Sequence, residues 1–176
     1  MPAPALLELR LVRPEDEPFL TDLFTVIEQE RLAWTDLKNG SLQTIISHEL
    51  IGQQRHYRAL NEDATHCLII AQSKPAGRVV FWNNRDEIRL AELAVAPAFR
   101  GLGIGSAVVE TLKAQARQTK RPVRLHVEKY HHRQPRRFYH QLGFRVIEDR
   151  DTHWFMEWDA ERAGPGPIGA QLKIAS

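Results

Sequence analysis

The stretch "LLELRLV" at residues 6–12 alternates apolar and polar side chains, the period of a strand with one buried face. Pro14 follows, with Glu15, Asp16 and Glu17, and negative charge favours the start of a helix. Leu20, Leu23, Phe24 and Ile27 then recur at helical spacing, so the pattern predicts a first helix over about 15–33. "LKNGS" (37–41) breaks the chain, and Leu42, Ile45, Ile46, Leu50 and Ile51 form the stripe of a second helix over about 41–60. "THCLIIAQ" (65–72) and "AGRVVFWNN" (76–84) read as strands joined by a turn at "SKPAG". "EIRLAELAVAP" (87–97) is the next strand, ended by Pro97. Ile104, Val108 and Leu112 are spaced by four and predict a helix over about 104–119. "RPVRLHVEK" (121–129) is a further strand, and "QPRRFYHQL" (134–142) is a short helix closed by Gly143. "GFRVIED" and "HWFMEWD" end the pattern as a hairpin.

The predicted order is β-α-α-β-β-β-α-β-α-β-β, an α/β (α+β) chain with a mixed sheet. The strand–helix–strand unit at 88–129 should close as a right-handed parallel crossover, and the three strands before its helix should be antiparallel. Residues 1–160 read as one domain. The tail 161–176, "ERAGPGPIGAQLKIAS", is Gly/Pro-rich and either disordered or laid along a sheet edge.

Composition narrows the class. With 176 residues, 43% hydrophobic and 26% charged, the chain is an ordinary globular domain long enough to bury a core. Its single cysteine, Cys67, excludes an internal disulfide and sits in the apolar run "HCLIIA", where it reads as a small core residue. The N-terminus lacks a basic start followed by an apolar stretch, and no window approaches roughly 20 continuous apolar residues, so the expectation is a cytoplasmic protein that does not span a membrane. A net charge of +2 suits an anionic ligand but is too weak to argue for nucleic acid.

The chemistry concentrates in "APAFRGLGIGSAVVETLKA", residues 96–114. A dinucleotide fold needs G-x-G-x-x-G directly after a strand, whereas here the third glycine position holds Ser106 and "PAFR" intervenes. A Walker loop needs Gly-Lys-Ser/Thr, and none is present. What remains is R-x-x-G-x-G, Arg100–Gly105, opening a helix after a strand. Its glycines let backbone N–H groups approach an anion, and the helix start adds partial positive charge. With the strand before it and "RRFYHQLGF" (136–144) downstream, the chain resembles the GNAT superfamily of N-acetyltransferases over roughly residues 6–159. That family carries Q/R-x-x-G-x-G/A in its pyrophosphate loop and an "LYxxLGF" signature after it.

The resemblance implies a GNAT-type fold, with acetyl-CoA as co-substrate held where two parallel strands splay apart. The pantetheine arm would pair with backbone of Leu93, Ala94 and Val95. The pyrophosphate would fall on Arg100, Gly101, Leu102, Gly103, Ile104, Gly105 and Ser106. Tyr139 matches the tyrosine near the thioester sulfur, a general acid for the departing thiolate; its alternative is an amphipathic-helix tyrosine with a core-facing ring. Glu92, in the otherwise apolar "LAELAVA", is the first candidate to take the acceptor's proton, since a carboxylate is costly to bury without a partner. An ion pair with Arg89 or Arg124 is the alternative for Glu92. His126 is the second candidate base.

One departure is visible: the family's asparagine and alanine before "LY" correspond to His132 and Pro135. His132, Arg133, Arg136 or Arg137 would then meet the 3′-phosphate. The run "YHHRQPRR" is too short and too poor in interleaved aromatics for a nucleic-acid patch, and no metal site is expected. The implied activity is direct acetyl transfer to a primary amine of an unidentified acceptor, small molecule or protein. The alternative is a non-catalytic acyl-CoA-binding module. Glu28, Glu30, Trp34, Asp36, Tyr57, Trp154 and Trp158 are the acids and aromatics that would suit a cationic amine, or else a solvated helix face and core tryptophans. The terminal hairpin and tail are where a homodimer would form.

Overall fold

The structure, a computed structural model, describes residues 7–33, 64–129, 135–163 and 174–175. The second predicted helix, 41–60, lies outside the described residues, as do Trp34, Asp36, Tyr57 and residues 130–134. Strand β1 (Leu7–Leu11) leads through a short 3-10 turn (Pro14–Asp16) into helix α1 (Glu17–Leu32). Strands β2 (Ala64–Ala71), β3 (Lys74–Asn83) and β4 (Ile88–Val95) precede helix α2 (Ile104–Thr119). Strand β5 (Val123–Glu128), helix α3 (Pro135–Gln141), the hairpin β6 (Arg145–Asp149) and β7 (His153–Trp158), the turn of helix α4 (Ala160–Ala163) and β8 (Ile174–Ala175) complete it.

All strands form one mixed sheet in the order β6-β7-β5-β4-β3-β2-β1-β8. The expected antiparallel β2–β3–β4 run, the parallel β4–β5 crossover and the terminal hairpin are all present. Within the tail, the backbone of Ile174–Ala175 pairs parallel to β1 at the sheet edge, one of the two alternatives its sequence left open.

Cross-strand register divides the sheet into two faces. Leu9, Cys67, Ile69, Val79, Phe81, Ile88, Leu90, Val123, Leu125 and Met156 share one face and form a continuous buried core with Ile104, Val108, Leu112 and Ala116 of α2. Cys67 is fully buried there, and burial pushes its thiol up to about 11, as befits an inert core residue. The other face carries charge: Arg89 pairs with Glu87 at 2.6 Å, Arg124 bridges Glu87 and Glu157, and Arg145 reaches Glu157 at 3.0 Å. This ladder ties β4, β5, β7 and β6 together and occupies both arginines considered as partners for Glu92.

One boundary differs from the sequence reading. The β2–β3 turn is not "SKPAG" but the two residues Gln72 and Ser73, both at positive φ (52° and 61°). A two-residue hairpin turn requires that backbone, and its twist matches the strands even without glycine. Pro75 instead lies within β3, opposite Ile70, where a register shift after Ile69 accommodates it and β4 no longer pairs on its other side.

The helix start is held by more than its dipole. The buried Asp16 carboxylate accepts Arg10 Nη2 at 2.7 Å and the Arg13 backbone N–H at 2.8 Å. The Arg10 contact holds its carboxyl below the ordinary 3.8. A lowered folded value contributes stability that is complete above the unfolded value and is lost as pH falls through the folded one. Asp16→Asn should therefore cost about 1 kcal/mol at pH 7 in urea unfolding, with the difference from wild type shrinking below pH 3.8.

Candidate active site

The decisive local feature is in β4. Val80 opposes Glu92 while the next residue, Phe81, opposes Leu90, so Ala91 is an extra residue on β4. This bulge reverses the alternation of side chains along the strand. Ile88 and Leu90 face α2 before it; Leu93 keeps that face after it, while Glu92 and Ala94 turn to the opposite face with Arg78. The parallel pairing of β4 with β5 also stops there, covering only Ile88–Leu90 against Val123–Leu125. Past Leu90 the two strands separate, and residues 91–95 present a backbone edge beside the opening.

Into that opening points the start of α2. Gly101 and Gly103 hold φ of +76° and +77°, conformations that side-chain-bearing residues rarely adopt, and a Cβ at either would meet open space. Gly105 is constrained differently: a Cβ there would lie 3.3 Å from Phe138 Cζ, a tight contact. The loop is thus open on its outer side and tightly packed on its inner one. Ser106 lines the same opening, whereas the Leu102 side chain points to solvent at 60% exposure, leaving only its backbone to serve an anion.

Arg100 does not aim outward. Its Nε donates to Val95 O at 2.8 Å and its Nη1 to both Glu30 carboxylate oxygens at 2.8 and 3.0 Å. The guanidinium thereby joins three elements, the end of β4, the loop and the last turns of α1. This is the supporting role, and it also occupies the Val95 carbonyl.

A cavity of about 590 Å³ runs through the site. The apolar side chains Leu20, Leu23, Phe24 and Ile27 of α1 line one part, and Leu93, Ala94, Val95 and the glycine loop line another. Arg78, Glu92, Phe138 and Tyr139 also face it. The structure therefore brings Glu92 and Tyr139 to one cavity with all the strand and loop residues singled out except Leu102. Tyr139 is fixed by edge contacts with Phe138 and Phe144, with ring centroids 5.0 and 5.6 Å away. Burial pushes its phenol well above the ordinary tyrosine value of 10.0, so the group is a neutral hydroxyl throughout the physiological range.

His126 is elsewhere: it stacks on Phe155 at 4.6 Å on the charged face, and does not line the cavity. Burial, with the charges of Arg89, His153 and Arg150, lowers its pKa. Trp158 is buried behind α2 under Lys113 and Arg117, and Trp154 lies under Lys129 and Arg136, so neither reaches the cavity. Sequence reasoning missed Arg78, whose place opposite Ala94 is a matter of register. Among the described residues no group of three or more His, Cys, Asp and Glu is arranged to hold a metal ion, and no helix is long and apolar enough to cross a membrane.

A model of the acetyltransferase (GNAT) family matches residues 25–144, more than half of the chain. The chain belongs to the GNAT acetyltransferase family. Solved structures agree in fold. The PaiA N-acetyltransferase of Thermoplasma acidophilum, in complex with coenzyme A, is 18% identical with a TM-score of 0.66, covering 88% of this chain and 99% of that one. An acetyltransferase from Thermus thermophilus is 19% identical with a TM-score of 0.64, covering 88% and 97%. A GCN5-related N-acetyltransferase structure from Rhodopseudomonas palustris is 14% identical with a TM-score of 0.64, covering 90% and 97%. No curated protein matches the chain by sequence.

The GNAT loop's attachment to α1 makes a direct prediction. Arg100→Ala and Glu30→Ala should each lower the stability of the fold. Their double-mutant cycle should show a coupling of about 1 kcal/mol, reduced by the partial exposure of both groups. Thermal or urea unfolding of the four proteins measures it.

Proposed function

We propose that this GNAT protein is an acetyl-CoA-dependent N-acetyltransferase that moves the acetyl group directly to a primary amine in a ternary complex. The observation that carries the reading is the convergence of three features on one cavity: the separated β4–β5 edge, the outward-opening glycine loop, and the pair Glu92 and Tyr139. Acetyl-CoA supplies an activated acetyl thioester; the remaining work falls to this chain.

The N–H groups of residues 101–106 and the start of α2 hold the pyrophosphate. The free backbone edge of residues 93–94 pairs with the pantetheine arm, and its N–H groups polarise the acetyl carbonyl. A primary ammonium with a pKa near 10 must shed a proton before it attacks, which costs about 4 kcal/mol at pH 7. Glu92 accepts that proton, directly or through water, and passes it to solvent. The amine nitrogen then bonds to the acetyl carbon and the thioester C–S bond breaks. Tyr139 protonates the departing sulfur, and the second amine proton restores its phenol, so one proton is released for each acetyl group transferred. Cys67 is buried in the core on the α2 side and takes no part, consistent with transfer without a covalent enzyme intermediate.

Calorimetric titration with acetyl-CoA tests the reading first. Wild type should bind, and Gly103→Glu, which places a carboxylate at the pyrophosphate and a side chain at φ +77°, should not, while both melt cooperatively. Tyr139→Phe should reduce amine-dependent CoA release by roughly 10²-fold or more with acetyl-CoA affinity retained. Because the phenol is raised above 10.0, the wild-type rate should climb with pH as the amine deprotonates, with no fall from Tyr139 below pH 10. Binding without turnover for any amine would instead establish a non-catalytic acyl-CoA-binding module.

A further inference from the structure

Under the apolar face of α1, two side chains of opposite charge stand on adjacent strands and on one face of the sheet. Arg78 comes from β3 and Glu92 from β4, and they form an ion pair with Arg78 Nη2 4.0 Å from Glu92 Oε2. They are 15% and 20% exposed, and both face the cavity. The reactive edge of β4 lies beside Glu92, and the wall opposite is aliphatic and aromatic: Leu20, Leu23, Phe24 and Ile27.

We propose that the acceptor is a free α-amino acid with an apolar side chain. Its amine lies against Glu92, its carboxylate against Arg78, and its side chain against the α1 wall. The inference rests on the acetyltransferase reading above and uses the same transfer step, with the α-nitrogen as the nucleophile.

The charges of the cavity select this class. An α-amino acid carries an ammonium and a carboxylate on one carbon, and Arg78 and Glu92 offer the opposite signs side by side. A guanidinium also matches a carboxylate with two parallel donors. A polyamine brings only positive charge, which Arg78 repels, and specificity gains as much from such repulsion as from attraction. The cavity's other acids do not convert it into a polycation site. Glu30 is held by Arg100, and Glu28 accepts Arg31 Nε at 2.8 Å. A peptide N-terminus has an amide where Arg78 asks for a carboxylate. Sugar-based amines would set hydroxyls against the Leu20–Ile27 wall with few polar partners.

The test compares acceptors in wild type and variants by CoA thiol release, after calorimetry has established acetyl-CoA binding. Leucine, methionine and phenylalanine are assayed beside leucinamide and spermidine. At least one of the three amino acids should exceed leucinamide and spermidine in kcat/KM, leucine exceeding its amide roughly 10- to 100-fold, the range for a charge-assisted contact. Arg78→Met should bring the ratio of leucine to leucinamide close to one, and Arg78→Lys should restore part of it. A generally misfolded variant would lower both substrates together and lose its cooperative melt, whereas loss of the ratio alone is the specificity effect. A preference for spermidine or leucinamide overturns the proposal, as does a leucine preference that survives Arg78→Met. Acetyl-CoA binding with no turnover of the three amino acids also overturns it and leaves the cofactor reading intact. Failure to bind acetyl-CoA overturns the cofactor reading itself.

Discussion

One inserted residue governs the site. Because side chains on a strand alternate with period two, the extra Ala91 exchanges the faces of everything after it until β4 ends. Without the bulge, Glu92 would point into the core beneath α2, where a carboxylate has no compensating partner. With it, Glu92 stands beside Arg78 under α1, and Leu93 takes the apolar place against Gly105. The same insertion coincides with the end of β4–β5 pairing, so the charged group, the backbone edge no longer paired with β5 and the opening between strands arise at one point. A bulge bends its strand, increases local twist and disrupts the ladder beside it.

The opening is braced on both sides by different physics. On one side α2 rests on an apolar core that runs from β1 to β7, with Phe138 packed against Gly105 so that the loop cannot sink inward. On the other side the tie is ionic: Arg100 joins α1 to the loop and to the Val95 carbonyl. An arginine suits this post because its fixed fork makes several contacts at once. On the proposed reading the backbone N–H groups are thereby left to face the pyrophosphate, and the positive side chain sets their position instead of competing for the same oxygen atoms.

The elements were legible in the sequence wherever one periodicity held throughout. β1, α1, α2, the parallel crossover and the terminal hairpin follow from spacing, and the glycine loop and "FYHQLGF" followed from their own chemistry. Two features escaped for the same reason, that backbone geometry was read as if it were regular. The Gln72–Ser73 turn uses positive φ without glycine, so Pro75 and Gly77 drew the turn too far along the chain. The bulge did leave a signal: the large apolar residues of β4 fall at 88, 90, 93 and 95, a step of three among steps of two. Reading that step would have moved Glu92 off the core face, onto the face that carries Arg89 and Arg124. Arg78 left no such trace, because its partner is set by pairing between strands and not by anything near it in the chain.

The raised phenol of Tyr139 constrains how protons can move on the proposed reading. A thiol holds its proton with a pKa of about 8.5, far more loosely than a phenol pushed above 10.0 by burial. A completed transfer from Tyr139 to the sulfur would therefore run uphill and leave a tyrosinate in an apolar setting among Phe138 and Phe144. The transfer becomes favourable only if the proton shed by the newly bonded nitrogen reaches the phenol as its own proton departs. Tyr139 then acts as a relay between nitrogen and sulfur, never accumulating charge, and Glu92 serves only the first deprotonation. That division explains why an enclosed hydroxyl and a solvent-reaching carboxylate share one cavity: the first must stay neutral, and the second must return its proton to water.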